Sequence, residues 1–75
     1  MDYYYFSVDL DNGRTLCLSQ LTNRRLVMSG QDVPDASGYF LYELHGKDES
    51  APVEIIAQVV SEEAAFRLRD MFNMT

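Results

Sequence analysis

The chain has 75 residues, of which 47% are hydrophobic and 24% charged, and its formal net charge is −6. This composition is typical of a folded globular chain, although so short a domain buries only about 60% of its unfolded surface. With a single cysteine and a single histidine, an intramolecular disulfide and a zinc site built from Cys and His are both excluded. Small domains without such cross-links often gain stability by oligomerising, so we expect a homodimer.

Charge and hydropathy also limit the partners. Because the basic residues are scattered along an acidic chain, we do not expect contact with nucleic acid. No segment approaches the roughly 20 apolar residues that span a bilayer, and the N-terminus lacks the basic and apolar regions of a signal peptide. The sequence therefore predicts an unprocessed cytoplasmic protein that does not enter a membrane.

The first predicted element is a β-hairpin. Residues 3–10 are aromatic and β-branched with a period of two. The next residues include Asn12-Gly13, a pair that favours a type I′ turn because both residues tolerate positive φ. The returning strand, residues 15–20, is predicted to place Leu16 and Leu18 inward and Cys17 outward. The inward residues of the first strand are then Tyr4, Phe6, Val8 and Leu10.

Residues 21–38 allow two interpretations. Thr22 would cap a short helix from Asn23 to Ser29 that ends at Gly30, whereas the apolar residues 26–28 equally suit a short strand. We favour the strand. The residues from Gln31 to Gly38 include a proline, two aspartates and a glycine, which predicts a loop.

A second hairpin and a helix complete the chain. Strands are predicted over residues 39–45 and 53–60, joined by a turn over residues 46–52. Ser61 is a favourable N-cap for a helix that extends to about Asn73. Its apolar stripe would be Ala64, Ala65, Leu68, Met71 and Phe72. The predicted fold is thus a single α+β domain, residues 1–75, with a four- to five-stranded, mainly antiparallel sheet in two β-hairpins and the C-terminal helix packed on one face.

One helix covers only one face of such a sheet, so the opposite face, called here the outer face, should contact solvent. It would carry more apolar area than a solvated sheet face usually does. Phe66 lies nearly opposite Leu68 on the helical wheel and is also expected to be exposed. We therefore predict a small protein-interaction domain that self-associates through the outer face, the exposed helix face, or both. The predicted contact residues are Tyr3, Tyr5, Tyr39, Leu41, Ile56 and Phe66.

Other interpretations of the same residues remain open. The exposed apolar side chains could be ordinary surface residues, or the outer face and the 21–38 loop could form a shallow pocket for a small ligand. Cys17 and His45 could lie together on the outer face, but no carboxylate or oxyanion element is evident beside them. Arg24 and Arg25 would either be solvated or meet an acidic partner. We expect no catalysis, no cofactor and no metal site.

Overall fold

The computed structural model describes residues 4–31, 37–46 and 51–75. Within them, one antiparallel sheet has the order β1-β2-β3-β4, with strands β1 (Tyr5–Asp9), β2 (Arg14–Ser19), β3 (Tyr39–His45) and β4 (Val53–Val59). Helix α1 (Asn23–Met28) follows β2, and helix α2 (Glu62–Met71) follows β4. The predicted α+β class, with a four-stranded antiparallel sheet and a C-terminal helix, is confirmed. Tyr3 and the central residues of both predicted loops, 32–36 and 47–50, lie outside the described residues.

The first hairpin forms at the predicted turn. Asn12 and Gly13 have φ values of 64° and 74°, the left-handed conformation that the Asn-Gly pair tolerates. The amide of Leu10 donates to the carbonyl oxygen of Arg14 at 2.8 Å and closes the turn. This turn sets the pairing of Phe6 with Leu18, so the apolar residues of both strands share one face.

Helix α2 covers that face, called here the helix face. Its N-cap is Ser61, whose side chain accepts a hydrogen bond from the amide of Ala64 at 3.1 Å. Ala65 lies at the centre of the contact with 1% of its surface exposed. Because alanine is small, the helix can approach the sheet closely, and longer side chains on its two flanks can reach the strands. The buried residues of this core are Leu16, Leu18, Tyr39, Leu41, Val59, Ala65 and Met74.

The C-terminus of α2 differs from the predicted apolar stripe. Asn73 adopts φ 56°, and the amide of Met74 donates to the carbonyl oxygen of Arg69 at 2.9 Å, as in a Schellman motif. The reversal of the chain buries Met74, which is 6% exposed, and leaves Met71 and Phe72 73% and 41% exposed. Their predicted place in the core is therefore wrong, because the chain reverses at Asn73 and Met74 fills the core instead.

The outer face is not bare. Residues 23–28 form a helix rather than the favoured strand, and Thr22 caps it by accepting a hydrogen bond from the amide of Arg25 at 3.2 Å. Helix α1 lies against the outer face, where Leu26 packs on a second core. The buried residues of that core are Cys17, Leu21, Phe40, Tyr42 and Val53. The sheet is thus covered by a helix on each side.

Strand β3 faces the opposite way from the prediction. Its pairing with β2 sets Leu41 opposite Leu18 and Phe40 opposite Ser19. Tyr39 and Leu41 therefore belong to the helix face, where they are 6% and 8% exposed, and their predicted place on the outer face is wrong. Both alternating sets of β3 residues are apolar, so the sequence pattern alone could not orient this strand.

Strand β4 contains a β-bulge at Ile56. Leu41 pairs with Ala57 while Tyr42 pairs with Ile55, so Ile56 has no partner on β3. The extra residue shifts the alternation: Val53 and Ile55 contribute to the core beneath α1, whereas Val59 contributes to the core beneath α2. A strict period of two would place all three residues on one face.

Both edges of the sheet have hydrogen-bond partners. At the β4 edge, the amide of Ile55 donates to Oε1 of Gln31 at 2.6 Å, and Nε2 of Gln31 donates to the carbonyl oxygen of Ile55 at 3.1 Å. At the β1 edge, the backbone groups of Ser7 and Thr75 exchange two hydrogen bonds of 3.0 Å. These contacts occupy groups through which another chain could extend the sheet.

Candidate functional site

One end of the sheet combines a cleft with two exposed apolar side chains, Tyr5 and Val60. The first residues of β1 and β3 lie beside the last residues of β2 and β4. The pairs that show this are Tyr5 with Ser19, Ser19 with Phe40, and Tyr39 with Val59. We call this end, with the residues that directly follow β2 and β4, the exit end. The turn at Asn12 lies at the other end.

A cleft of about 390 Å³ opens at the exit end. Tyr5, which is 55% exposed, forms part of its wall. Leu21, which is 9% exposed, adds apolar surface to the cleft. Its volume falls within the range of about 300–1,000 Å³ that is typical of binding pockets. The full lining is Tyr4, Tyr5, Ser19, Gln20, Leu21 and Thr22.

The β4 side of the exit end projects an apolar side chain and two acidic ones. Val60 follows the last residue of β4 and is 94% exposed. After the cap residue Ser61, Glu62 and Glu63 lie in the first turn of α2, where the helix dipole favours negative charge, and both are exposed. Arg24 and Arg25 lie in the first turn of α1, the helix that begins directly after the cleft residue Thr22. The exit end thus combines apolar surface with separate basic and acidic groups.

Beneath α1, the outer face holds a group of hydrogen-bonded hydroxyl and thiol side chains. Tyr5 Oη lies 3.4 Å from Cys17 Sγ, and Ser19 Oγ lies 2.8 Å from Tyr42 Oη. Burial away from water raises the pKa of Tyr5, Cys17 and Tyr42 above their ordinary values. At neutral pH these groups are therefore protonated, and they link the strands to one another.

Cys17 and His45 do not form a catalytic pair. Cys17 pairs with Tyr42 on the outer face and is fully buried, whereas His45 is exposed and contacts the carboxylate of Glu43. Since burial raises the pKa of the Cys17 thiol, little thiolate forms near neutral pH. The arrangement lacks both the base and the access that an attacking thiolate needs.

A charged network lies on β3 and β4, towards the opposite end of the sheet. His45 Nε2 is 3.6 Å from Glu43 Oε1 and 4.0 Å from Glu54 Oε1, and the three ligand atoms lie within 4.8 Å of one another. Arg14 Nη1 is already 3.0 Å from the same Glu43 oxygen. A metal ion would compete with this arginine for that oxygen. Glu43 and Glu54 face each other across β3 and β4, and Arg14 offsets part of their negative charge through its ion pair with Glu43.

Of the six predicted contact residues, the structure describes five, because Tyr3 lies outside the described residues. Tyr5 and Ile56 are exposed, at 55% and 50%. Tyr39 and Leu41 are buried beneath α2 and are unavailable to a partner without unfolding.

Phe66 is half-buried, so its predicted exposure is wrong. Its ring centroid lies 5.1 Å from that of Tyr4 and 6.0 Å from that of Phe6, in edge-to-face geometry. The guanidinium of Arg69 lies 5.2 Å from the Phe66 centroid. The helical wheel sets Phe66 nearly opposite Leu68, yet its ring contacts with Tyr4 and Phe6 show that this flank of α2 lies against the β1 side of the sheet.

Several exit-end residues were not among the predicted contacts. The sequence predicts Val60 and Gln20 as the last residues of two strands, and Leu21 as the first residue of the segment 21–38 that allows two interpretations. The signal that could have identified them is topological: in an antiparallel order of four strands, the residues that follow β2 and β4 must lie at the same end.

Comparison with known proteins supplies no relative: no family model, curated protein or solved structure matches the chain. Across the described residues, neither helix is long and apolar enough to cross a bilayer.

Proposed function

We propose that this chain is a small protein-interaction domain that forms a homodimer through its exit end. The observation that carries the proposal is the pairing of an open cleft beside Tyr5 with Val60, which is 94% exposed, at the same end of the sheet. An apolar projection after β4 and an apolar recess at β1 and β2, both at one end of the sheet, form the kind of surface that a second copy could complement.

The size of the domain supports the same proposal. A standard interface covers about 800 Å² on each partner, roughly a sixth of the 5114 Å² accessible surface of this chain. Burying that fraction would add apolar contacts to a domain whose own core is small. Both sheet edges carry intramolecular hydrogen bonds, so the proposed association uses side chains at the exit end rather than extension of the sheet.

Sedimentation velocity over a range of protein concentrations tests the proposal. Val60→Glu should shift the equilibrium towards monomer, because it places a charge in the apolar contact while removing little intramolecular packing. Met71→Glu is the matched control, since Met71 is 73% exposed on the last turn of α2. A wild-type protein that stays monomeric at millimolar concentration would disprove the dimer. Loss of the dimer in Met71→Glu alone would move the interface to the end of α2.

The same cleft favours a second candidate function, the binding of a small ligand. Its volume suits a compact molecule, and Tyr5, Gln20 and Thr22 would offer polar groups beside the apolar wall of Leu21. Mass spectrometry of the purified protein, before and after denaturation, distinguishes the two functions. A small molecule released in equal molar amount would favour the ligand, and its absence together with a concentration-dependent dimer would favour self-association.

The proposal assigns no catalytic role and places the protein in the cytoplasm. The support for a non-catalytic role is the burial of Cys17, the candidate nucleophile, and its raised pKa. An unpaired thiol also suits the reducing cytoplasm, where disulfides are rare. Cysteine labelling of the folded protein checks the first point: slow labelling at neutral pH is expected, and rapid labelling would contradict it.

A further inference from the structure

We propose that Glu43, His45 and Glu54 form a binding site for a divalent transition-metal ion such as Zn²⁺. The site lies on β3 and β4, towards the end of the sheet that carries the Asn12 turn. It is therefore separate from the exit end and does not depend on the proposed homodimer. Sequence pattern alone does not indicate this site, because only the pairing of β3 with β4 sets Glu54 beside the other two residues.

The fold brings the three side chains onto one face of the sheet. Glu43 and His45 are two residues apart on β3, so both lie on the helix face, as Leu41 does. Glu54 pairs directly with Glu43. The side chains of His45 and Glu54 are 40% and 62% exposed, whereas that of Glu43 is 16% exposed. A metal ion can therefore reach the site from solvent without a change in the fold.

The distances between the three side chains suit a small cation. His45 Nε2 is 3.6 Å from Glu43 Oε1 and 4.0 Å from Glu54 Oε1, and the three ligand atoms lie within 4.8 Å of one another. Ligand atoms about 2.1 Å from a tetrahedral zinc ion are about 3.4 Å apart. Small rotations of the exposed Glu54 and His45 side chains would close the difference. Three protein ligands leave the fourth position of the tetrahedron to water.

The charges around the site also favour a cation. Like charges directly opposite each other on neighbouring strands are destabilising, and Glu43 and Glu54 form such a pair. Arg14 contacts only Glu43, at 3.0 Å. Within the part of the chain that the structure describes, His45 is the only ion-pair partner of Glu54. Because an imidazole joins the two carboxylates, the set favours zinc-like ions over Ca²⁺ and Mg²⁺, which prefer oxygen ligands alone.

Arg14 and a metal ion can share Glu43. A carboxylate has two oxygens with about four lone-pair sites, so one oxygen can accept a hydrogen bond from Arg14 while the other binds the ion. The guanidinium nevertheless sets a positive charge beside the metal. Arg14→Gln should therefore bind Zn²⁺ about two- to fivefold more tightly than the wild type. Arg67→Gln is the matched control, because it removes the same charge from an exposed position on α2 and should leave the affinity unchanged.

Titration of the metal-free protein with zinc chloride tests the proposal. His45 is the only histidine of the chain, so its ring signals in NMR spectra report on this site alone. These signals should change and saturate at one ion per chain. Calorimetry should show an affinity at least about tenfold lower in His45→Gln, Glu43→Gln and Glu54→Gln, and circular dichroism checks that each variant is folded. Cys17→Ala, which removes the only thiol, should bind as the wild type does.

Three results would overturn the metal site. The first is a set of His45 ring signals that millimolar Zn²⁺ leaves unchanged, and the second is equal affinity of the wild type and His45→Gln. The third is an equal response to CaCl₂ or MgCl₂, which would mean that surface carboxylates attract any cation. None of these results bears on the homodimer, which sedimentation of the metal-free protein tests separately.

Discussion

The two faces of the sheet bury side chains of different chemistry. On the helix face, α2 covers aliphatic residues and an aromatic group in which the Tyr4 and Phe66 rings meet edge to face. On the outer face, α1 covers fewer aliphatic residues and a set of hydroxyl and thiol groups, of which Ser19 and Tyr42 share a buried hydrogen bond. A ten-residue helix on one side and a six-residue helix on the other are enough for both faces to contain core.

This difference shows how a chain of 75 residues covers a four-stranded sheet. The helix face depends on close apolar packing, which α2 provides with Ala65 at its centre. The outer face depends in part on polar groups that satisfy one another, because an unpaired hydroxyl at such a site costs about 1–3 kcal/mol. Among the described residues, no buried side-chain nitrogen or oxygen lacks a hydrogen-bond partner.

The largest expected effects compare a core residue from each face. Phe40 and Leu18 are 0% and 1% exposed, on the outer face and the helix face respectively. Phe40→Ala should lower the free energy of unfolding by about 4 kcal/mol and Leu18→Ala by about 3 kcal/mol, through lost burial and the resulting cavities. Urea denaturation followed by circular dichroism measures both, with Val27→Ala, at an 80% exposed position, as the control. A loss below about 1 kcal/mol for Phe40→Ala would mean that the outer face contributes little to the core.

A smaller effect tests the polar contacts of the outer face. Ser19→Ala removes the 2.8 Å hydrogen bond between Ser19 and the buried Tyr42 hydroxyl and should cost about 1–2 kcal/mol of unfolding free energy. Tyr42→Phe should cost less, because the Ser19 hydroxyl still donates to the carbonyl oxygen of Gln20. Tyr4→Phe is the matched control on the helix face, where the Tyr4 hydroxyl has no hydrogen bond to a described residue. If the double variant lost the full sum of the single losses, Ser19 and Tyr42 would not be coupled.

A substitution at the C-terminus of α2 should lower the free energy of unfolding by about 1 kcal/mol. Asn73→Ala forces a residue with a Cβ, and without a side-chain amide, into the left-handed conformation that the Schellman motif requires. Asn73→Gly should leave stability near that of the wild type, because glycine adopts this conformation freely. Thermal melts compare the two variants. Equal stability of Asn73→Ala and Asn73→Gly would show that the reversal that buries Met74 does not need this conformation.

The smallest effect is a pH dependence at the alkaline end. The ordinary pKa of the thiol is 9.0, and burial raises the pKa of Cys17 in the folded state. As pH rises past the unfolded value, the unfolded chain releases this proton before the folded one does, so stability falls. Tyr5 and Tyr42 act in the same direction at still higher pH. Urea denaturation as a function of pH should therefore show a shallower alkaline decline in Cys17→Ala, whereas an unchanged slope would contradict the protonated, buried thiol.

Much of the fold could be predicted from local chemistry. The Asn12-Gly13 turn, the strand periodicities and the Ser61 cap each have a physical cause that lies within a few residues. The sequence pattern could not predict which face of the sheet each residue of β3 and β4 occupies, because that depends on pairing between strands distant in the chain. The facing of β3 follows from its pairing with β2 across a long connection, and the bulge at Ile56 breaks a pattern that looked regular.

The candidate site was less predictable for the same reason. Tyr5 was identified because an aromatic residue on the uncovered side of a first strand is visible in the alternation. Val60 and the cleft beside Leu21 depend on which strand ends meet, and that is a property of the whole topology. Thr22 indicates a helix cap, but the apolar residues 26–28 suit a short strand equally well, so the local pattern does not decide between helix and strand there.

Amide chemical shifts measured by NMR during dilution test the proposed exit-end dimer most directly, because they report both association and its location. The signals of Tyr5, Leu21, Val60 and Glu63 should move together along one concentration-dependent curve. Those of Asn12 and Gly13, at the other end of the sheet, should stay fixed. Shifts that do not change with concentration, or that change at the Asn12 turn instead, would contradict the exit-end dimer.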